Sequence, residues 1–289
     1  MVLSGVEFKQ PVNDISICTI YAKRELHLKN LILGLTHTSP FKELVIVTMN
    51  DELPVLTQVD FPIKTAAINS DRHSLPLAAA RNKCAEIATG EKIIFLDVDC
   101  IVHPNLIEVF NYHLEKEDAI YQSSIRYLDS NWQRDNWTYN SLQIQSFFHP
   151  LQGNKVIDRQ KTLHPYELFW SLCFGIRKKT FIDLGGFDES FKGYGGEDTD
   201  LAFTARSHSV PLYKISALAY HQFHPSYSPP LNHLAEIVSN ALVFEQKWHI
   251  LPMDKWLNRF AEMGYVKLHD KNIEIIKYPT QAEIQACLK

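Results

Sequence analysis

The first third of the chain alternates β-branched apolar runs with segments of helical periodicity, and this alternation restricts the fold more than any other feature. The predicted strands and helices are, in chain order, Ile15–Ala22, Glu25–Leu35, Leu44–Asp51, Leu77–Gly90 and Lys92–Asp99. Strand–helix alternation with short connections produces a mostly parallel sheet with helices on both faces. We therefore expect an α/β chain of that architecture.

Polar side chains close two of these strands. Asn50 and Asp51 end one run, and Asp97 and Asp99 end another with a single valine between them. Ligands of α/β sheets bind beyond the carboxyl ends of the strands. Two carboxylates at a buried strand end repel each other unless a cation lies between them, and hard divalent cations prefer oxygen ligands. The pair predicts an Mn²⁺ or Mg²⁺ site, although acidic residues end many strands without a metal.

A second motif is "GYGGEDTDL", where three glycines precede Glu197 and Asp198 at the start of a predicted helix. Glycines allow unusual backbone dihedral angles or the close approach of a ligand. The two acids have two interpretations. They complement the helix dipole, or one of them is a general base presented by the loop. A base needs burial or a neighbouring carboxylate to offset the lowering of its pKa by the dipole.

The third motif is "AYHQFHP", which contains His221 and His224. A single histidine after an apolar run is more often structural than a ligand. Neutral imidazole can, however, complete an Mn²⁺ site that carboxylates begin.

Taken in order, "AARNKCAEIATGEKIIFLDVDCIVHP", "GGFDESFKGYGGEDTDLAFTAR" and "AYHQFHP" resemble glycosyltransferases of the GT-A fold. The resemblance is to inverting, family-2-like enzymes with a galactosyltransferase-type carboxyl-terminal motif. Bacterial chondroitin polymerase, the β-1,4-galactosyltransferases and the polypeptide GalNAc-transferases belong to this neighbourhood. The resemblance covers roughly residues 15–225.

This resemblance implies a GT-A (Rossmann-like) fold with a mixed, mostly parallel sheet flanked by helices. The catalytic domain would span residues 1–225, with a nucleotide-sugar half at about 1–103 and an acceptor half at about 104–225. Residues 226–289 would form a helical C-terminal extension packed on that domain.

The resemblance also implies a role for individual residues. Asp99 and His221 would bind Mn²⁺ (or Mg²⁺), with Asp97 contacting the metal through water or the ribose, and His224 is the less favoured ligand. Asp198 would be the catalytic base, beside Glu197. The donor-binding residues would be Thr19, Tyr21, Asn50, Asp51, Arg81 and Asp97. The acceptor-binding residues would be Trp170, Glu197, Gly195 and Gly196.

We therefore predict a metal-dependent inverting glycosyltransferase that moves a sugar from a nucleotide sugar, with UDP favoured, to a hydroxyl of a glycan, lipid-linked or small-molecule acceptor. One alternative is a non-catalytic carbohydrate- or nucleotide-binding protein of the same fold. Another is a phosphatase with an Asp-x-Asp nucleophile motif, but that motif normally follows the first strand, and here several elements precede it.

Composition restricts the partners and the location. The net charge of -4, without a dense Lys/Arg run, gives no basis for binding nucleic acid. No apolar stretch reaches the length of a membrane span, while peripheral membrane contact stays open. The start "MVLSGVEFKQPVND" lacks a leader pattern, and five scattered cysteines without a CxxC pair indicate neither a zinc cluster nor a disulfide framework. We expect a cytoplasmic location.

Overall fold

The computed structural model describes residues 13–70, 74–150, 159–270 and 272–289. Most of the start on which the leader prediction rests, residues 1–12, lies outside them. The strands of the main sheet are β1 (Asn13–Tyr21), β2 (Phe41–Met49), β3 (Ile63–Ile68), β4 (Lys92–Leu96), β5 (Cys100–Val102), β6 (Ile120–Leu128), β7 (Ser146–Phe148), β8 (Lys161–Leu163), β9 (Cys173–Arg177) and β10 (Leu212–His221). The helices before residue 225 are α1 (Glu25–Leu35), α2 (Leu77–Ile87), α3 (Leu106–Lys116), α4 (Tyr139–Ile144), α5 (Lys178–Asp183) and α6 (Glu197–Ser207).

The sheet is mixed, in the order β3-β2-β1-β4-β9-β6-β10-β5, with β7 paired to β6 and β8 paired to β10. Strands β1, β2, β3, β4, β6 and β10 run in one direction. Strand β9 is inserted between β4 and β6 and runs antiparallel to both. The predicted α/β fold with a mixed, mostly parallel sheet is confirmed.

Both faces of the sheet are covered, because its central strands are apolar on both sides. All five residues of β4 are buried. On one face, α1 and α3 pack through Leu31 and Phe110, and on the other face α2, α5 and α6 pack through residues such as Cys84 and Leu201. Burying such side chains stabilises the fold by roughly 1.5–3 kcal/mol each.

The Asp-Val-Asp motif forms the turn between β4 and β5. The strand ends at Leu96, before the two carboxylates, rather than at Asp99 as the apolar run predicts. The Asp97 N–H donates to the Leu172 carbonyl at 2.8 Å, and the Cys100 N–H donates back to the Asp97 carbonyl at 3.0 Å. Both acids therefore lie at the carboxyl edge of the sheet on a turn that is fixed by hydrogen bonds.

Only β1, β2 and β4 of the main sheet were predicted as strands from the sequence. Strand β3 is only partly buried, and β6 lies in a segment whose periodicity is weak. In β6 the buried positions include Gln122, Ser123 and Ser124. Polar residues inside a buried strand remove the apolar signal on which strand prediction depends.

The C-terminal extension contains α7 (Leu234–Trp248), α8 (Asp254–Glu262), the antiparallel hairpin of β11 (Val266–His269) and β12 (Asn272–Ile275), and α9 (Gln281–Gln285). The extension was predicted to be helical, and its β-hairpin was not predicted. The extension has an apolar cluster of its own, including Leu231, Ile237 and Phe260. Its boundary at residue 225 stays a prediction. Across the described ranges, no helix is both long enough and apolar enough to cross a membrane.

Candidate active site

Three side chains from two separate segments meet at the turn after β4. The Asp99 carboxylate lies 3.6 Å from Nε2 of His221 through Oδ1 and 3.4 Å from Nε2 of His224 through Oδ2. One ligand atom from each residue can be chosen so that all three lie within 4.8 Å of one another. Within the described part of the chain, Asp99 Oδ1 is buried without a hydrogen-bond partner. Such an oxygen, beside two imidazole nitrogens, fits a divalent cation of the Mn²⁺ type.

The protonation states of this cluster also suit a metal. Burial lowers the pKa of His221, although the charge of Asp99 acts to raise it. The lowered pKa favours the neutral imidazole, which has a lone pair for a metal. Burial alone would raise the pKa of Asp99, but the two histidines and Arg24 hold it well below its usual range. An ionised carboxylate and neutral imidazole are the forms that coordinate cations.

The histidines reach Asp99 because of how β10 ends. Strand β5 pairs antiparallel with β10, which places His221 opposite Cys100. The next residue, Gln222, is fully buried, and its N–H donates to the Asp99 carbonyl at 2.7 Å. Its side-chain amide donates to the His27 carbonyl at 3.1 Å. Gln222 thus fixes the segment between the two histidines, a role that sequence reasoning missed.

Arg24 is a second residue that sequence reasoning missed. Its Nη1 lies 3.6 Å from Asp99 Oδ2, and a third of its side chain is exposed. It directly precedes α1, at the carboxyl end of β1. Its place just after a predicted strand end is the signal that could have identified it.

Arg81 of α2 joins two of the predicted site motifs. Its guanidinium donates to Asp97 Oδ1 at 3.1 Å and to Glu197 Oε1 at 3.0 Å, and it lies over the Phe187 ring at 5.2 Å. Burial acts to lower the pKa of Arg81, but the two carboxylates hold it above its ordinary value. The structure therefore brings Arg81, Asp97 and Glu197 together. Asp97 is not one of the three clustered ligand residues, and its metal role stays a prediction.

The predicted base begins α6. Gly196, at a φ of 94°, precedes the helix, and the Thr199 N–H donates to Asp198 Oδ1 at 2.7 Å. Burial and the negative charge of Glu197 raise the pKa of Asp198 to about 7. Within the described residues, Glu197 Oε2 is buried without a hydrogen-bond partner. A carboxyl group that titrates near neutral pH can accept a proton from a substrate hydroxyl.

The predicted acceptor residues lie on the loop before α6 and before β9. Gly195 and Gly196 have φ angles of 97° and 94°, in the left-handed region that favours glycine. The Trp170 N–H donates to the side chain of Gln122 at 3.0 Å, and its ring meets His149 edge-on at 5.1 Å between centroids. Their contact with an acceptor stays a prediction.

The predicted donor residues at the ends of β1 and β2 differ in accessibility. Thr19 and Tyr21 are 1% and 4% exposed, which leaves little of either side chain for a ligand. Asn50 adopts a φ of 50°, and its side chain accepts a hydrogen bond of 2.6 Å from the Ser70 N–H. Asp51 accepts one of 2.6 Å from the backbone of Lys23. Their contact with a nucleotide stays a prediction.

Comparison with known families identifies the family of the chain. The sequence model of the family "Glycosyltransferase like family 2" matches residues 17–225, which contain the Asp-Val-Asp turn, the glycine-rich segment before α6 and both histidines. The chain belongs to the glycosyltransferase-like family 2. The suspected resemblance is confirmed at the level of the family.

Among curated proteins, this family 2 member is 40% identical to the validoxylamine A glucosyltransferase of Streptomyces hygroscopicus over 48 residues, which are 17% of this chain and 11% of that protein. It is 25% identical over 217 residues to a Drosophila melanogaster protein named "Putative inactive polypeptide N-acetylgalactosaminyltransferase 11", with 65% of this chain and 36% of that protein covered. The chain thus spans little more than a third, at most, of these relatives' lengths.

Two solved structures share the fold of this family 2 member. GalNAc-T7, solved with UDP, GalNAc and Mn²⁺, has a TM-score of 0.53 at 14% identity, over 88% of this chain and 57% of that chain. TarS of S. aureus, residues 1–349, has a TM-score of 0.50 at 14% identity, over 87% of this chain and 70% of that one. The predicted GT-A fold is confirmed.

Proposed function

We propose that the chain is a metal-dependent inverting glycosyltransferase that uses a UDP-sugar and a hydroxyl-bearing acceptor. The observation that carries the proposal is the joint placement of two groups at one edge of the sheet. A cluster fit for a cation (Asp99, His221 and His224) lies at the turn whose other carboxylate, Asp97, is linked through Arg81 to the Glu197–Asp198 pair. Donor activation and acceptor deprotonation require these two groups together.

On the donor side, Asp99 and the two histidines would hold Mn²⁺ or Mg²⁺. When bound, the cation neutralises charge on the diphosphate as it leaves. Arg24, partly exposed beside Asp99, supplies a second positive charge to the same phosphates. Arginine suits this task because its planar guanidinium can donate two parallel hydrogen bonds to a phosphate.

On the acceptor side, Asp198 acts as the general base. The acceptor oxygen attacks the anomeric carbon, and the bond from that carbon to the diphosphate oxygen breaks. The bonding electron pair leaves with UDP, and the hydroxyl proton passes to the Asp198 carboxylate. Glu197 Oε2, buried beside it, accepts a hydrogen bond from the acceptor. A single displacement of this kind inverts the anomeric configuration.

The choice of UDP and Mn²⁺ is supported by the ligands of the GalNAc-T7 structure, which shares the fold. We propose that the nucleotide lies at the ends of β1 and β2, near Thr19, Tyr21, Asn50 and Asp51. The acceptor class stays broad and covers glycans, lipid-linked sugars and small molecules.

A non-catalytic sugar-nucleotide-binding protein is the second candidate, because one relative is named as inactive. The pKa of Asp198, raised to about 7, favours catalysis over this alternative, since raised carboxyl pKa values are typical of acid–base residues.

The test is a panel of UDP-sugars and GDP-mannose, incubated with Mn²⁺ and then with EDTA, with release of free sugar as the measurement. Calorimetric titration with UDP runs in parallel. Mn²⁺-dependent sugar release from one donor supports the proposal. Mn²⁺-dependent UDP binding without release, even with an acceptor panel, would favour the non-catalytic protein. Equal UDP affinity in EDTA would contradict the metal site.

A further inference from the structure

Helix α7 of the C-terminal extension holds the backbone of residues 192–196, which we call the glycine loop. The side chain of Asn240 is 1% exposed, and its oxygen and its nitrogen both bond the backbone of this loop. Its Oδ1 accepts from the Lys192 N–H at 3.0 Å. Its Nδ2 lies 3.0, 3.3 and 2.8 Å from the carbonyl oxygens of Lys192, Tyr194 and Gly195.

Glu236, one turn earlier on α7, bonds the middle of the same loop. Its Oε2 accepts from the Tyr194 N–H at 3.0 Å and lies 2.8 Å from His233 Nδ1. A Cβ atom at Gly193 would lie 2.3 Å from the Glu236 carboxylate carbon. The loop and α7 are therefore in direct contact, and the φ of 69° at Gly193 favours glycine at this position.

The last turn of α7 contacts α6 at Asp200, two residues after the predicted base Asp198. The buried carboxylate of Asp200 accepts hydrogen bonds from Lys247 Nζ at 2.9 Å and from Trp248 Nε1 at 2.7 Å. The Phe244 ring packs edge-on against Phe203 of α6 at 5.1 Å. Helix α7 thus fixes the chain both before and after Asp198.

The glycine loop needs such support. Gly193, Gly195 and Gly196 all have positive φ angles, and glycine-rich backbone loses more conformational freedom on ordering than other backbone. Asn240 and Glu236 together bond backbone groups of Lys192, Tyr194 and Gly195, while the Gly196 carbonyl accepts from the Asp200 N–H of α6 at 2.9 Å. A small displacement of a reacting group can reduce the rate of a reaction by about 100-fold.

We propose that Asn240 is a positioning residue, which holds the glycine loop so that the Asp198 carboxylate points at the acceptor. The C-terminal extension is then part of the active site rather than an appended unit. This inference rests on the proposed function, because it assigns Asn240 a task in the step that Asp198 performs.

The test compares Asn240→Ala with Ser239→Ala, its exposed neighbour on α7. Calorimetry with UDP and Mn²⁺ establishes that donor binding is intact, and the rate of Mn²⁺-dependent UDP-sugar hydrolysis is then measured. We expect Asn240→Ala to lower kcat by roughly 10- to 100-fold with KM nearly unchanged. Ser239→Ala should match the wild type. Hydrogen exchange at the Tyr194 and Gly195 amides should become at least about tenfold faster in Asn240→Ala only.

If Asn240 acts through Asp198, the kcat of the double variant should show it. In an Asp198→Asn background, Asn240→Ala should change kcat by less than about twofold, because two residues that serve one step are not additive. Full additivity, or a normal kcat for folded Asn240→Ala, would overturn the inference. If Asn240→Ala does not fold, Glu236→Ala against Glu236→Gln decides by the same measurements, since glutamine keeps the acceptor for Tyr194. A wild-type protein without hydrolysis or transfer would refute the proposed function instead.

Discussion

The Arg81 guanidinium donates a 3.0 Å hydrogen bond to the Glu197 carboxylate, across 116 positions of the sequence. The same guanidinium reaches Asp97, so one side chain connects the turn after β4 with the start of α6. Both partners of the pair are buried, with side chains 6% and 7% exposed. The geometry of the donor side and that of the acceptor side therefore both depend on the buried guanidinium of Arg81.

The first prediction concerns the stability that depends on Arg81. Replacing Arg81 with methionine leaves the buried Glu197 carboxylate and the partly buried Asp97 carboxylate without a counter-charge, which should lower the free energy of unfolding by about 3–5 kcal/mol. Lys83→Met on the same helix is the control, because its pair with Glu86 is at the surface and should contribute at most about 1 kcal/mol. Urea unfolding at pH 7 is the measurement. Equal losses in the two variants would contradict a structural role for the buried bridge.

The second prediction concerns the two histidines. His221 and His224 lie at similar distances from Asp99, so alanine at either position should weaken Mn²⁺-dependent UDP binding. We expect losses of at least the roughly 10- to 100-fold that changes around a metal cause. His208→Ala, at an exposed position at the end of α6, is the control. Calorimetric titration of UDP with Mn²⁺ measures the effect, and wild-type affinity in either variant would remove that histidine from the metal site.

The sequence predicted β1, β2 and β4 correctly because its signal there is local. Strands β1, β2 and β4 are continuous apolar runs, and α1 and α6 begin where their predicted helices begin. The glycine loop was recognised from adjacent residues. Such features depend on neighbours in the chain, and periodicity reports on them directly.

Other parts of the site depend on contacts that no local pattern encodes. The bridge from Arg81 to Glu197 and the clamp of Asn240 on the glycine loop join residues far apart in the sequence. Gln222 stands between the two histidines and is fully buried, because its side-chain amide donates to the His27 carbonyl and accepts from Asn30 Nδ2. Burial of a polar side chain follows from its hydrogen bonds, which become visible only in three dimensions.

The third prediction concerns the pH dependence of transfer. The pKa of Asp198 is raised to about 7 by burial and by Glu197, while the Thr199 N–H and Arg81 act to lower it. Because the ionised carboxylate is the base, kcat/KM should rise with pH and level off above about 7. In Glu197→Gln the neighbouring charge is lost, so the rising limb should move to lower pH. Hydrolysis of the UDP-sugar at saturating Mn²⁺ between pH 5 and 9 is the measurement.

The control for this profile is Asp198→Asn, which should lose the limb together with roughly 100- to 10,000-fold of the rate. A limb that stays in place in Glu197→Gln, or that persists in Asp198→Asn, would assign the titration to another group. Asp97, whose pKa burial raises to about 6, is the candidate in that case.

The last prediction concerns the effect of the Asp198 charge on stability. The pKa of Asp198 is about 7 in the folded protein and 3.8 without the environment of the fold, so the folded state binds its proton more tightly. Between these values the folded protein keeps a proton that the unfolded chain has released, and the free energy of unfolding falls as the pH rises. Above about pH 7 the folded protein carries a buried charge. Asp198→Asn removes this contribution, and so it should stabilise the protein more at pH 8 than at pH 5, by about 3 kcal/mol, since about two pH units lie between pH 5 and the folded pKa of about 7 and each corresponds to about 1.4 kcal/mol. Asp97 titrates in the same range but is present in both proteins, and EDTA keeps metal binding out of the comparison.

Urea unfolding at both pH values is the measurement, with Asp60→Asn at an exposed position as the control. A stabilisation that is equal at pH 5 and pH 8 would show that the Asp198 carboxyl does not titrate near neutral pH, and it would remove the physical basis for a general base at this position.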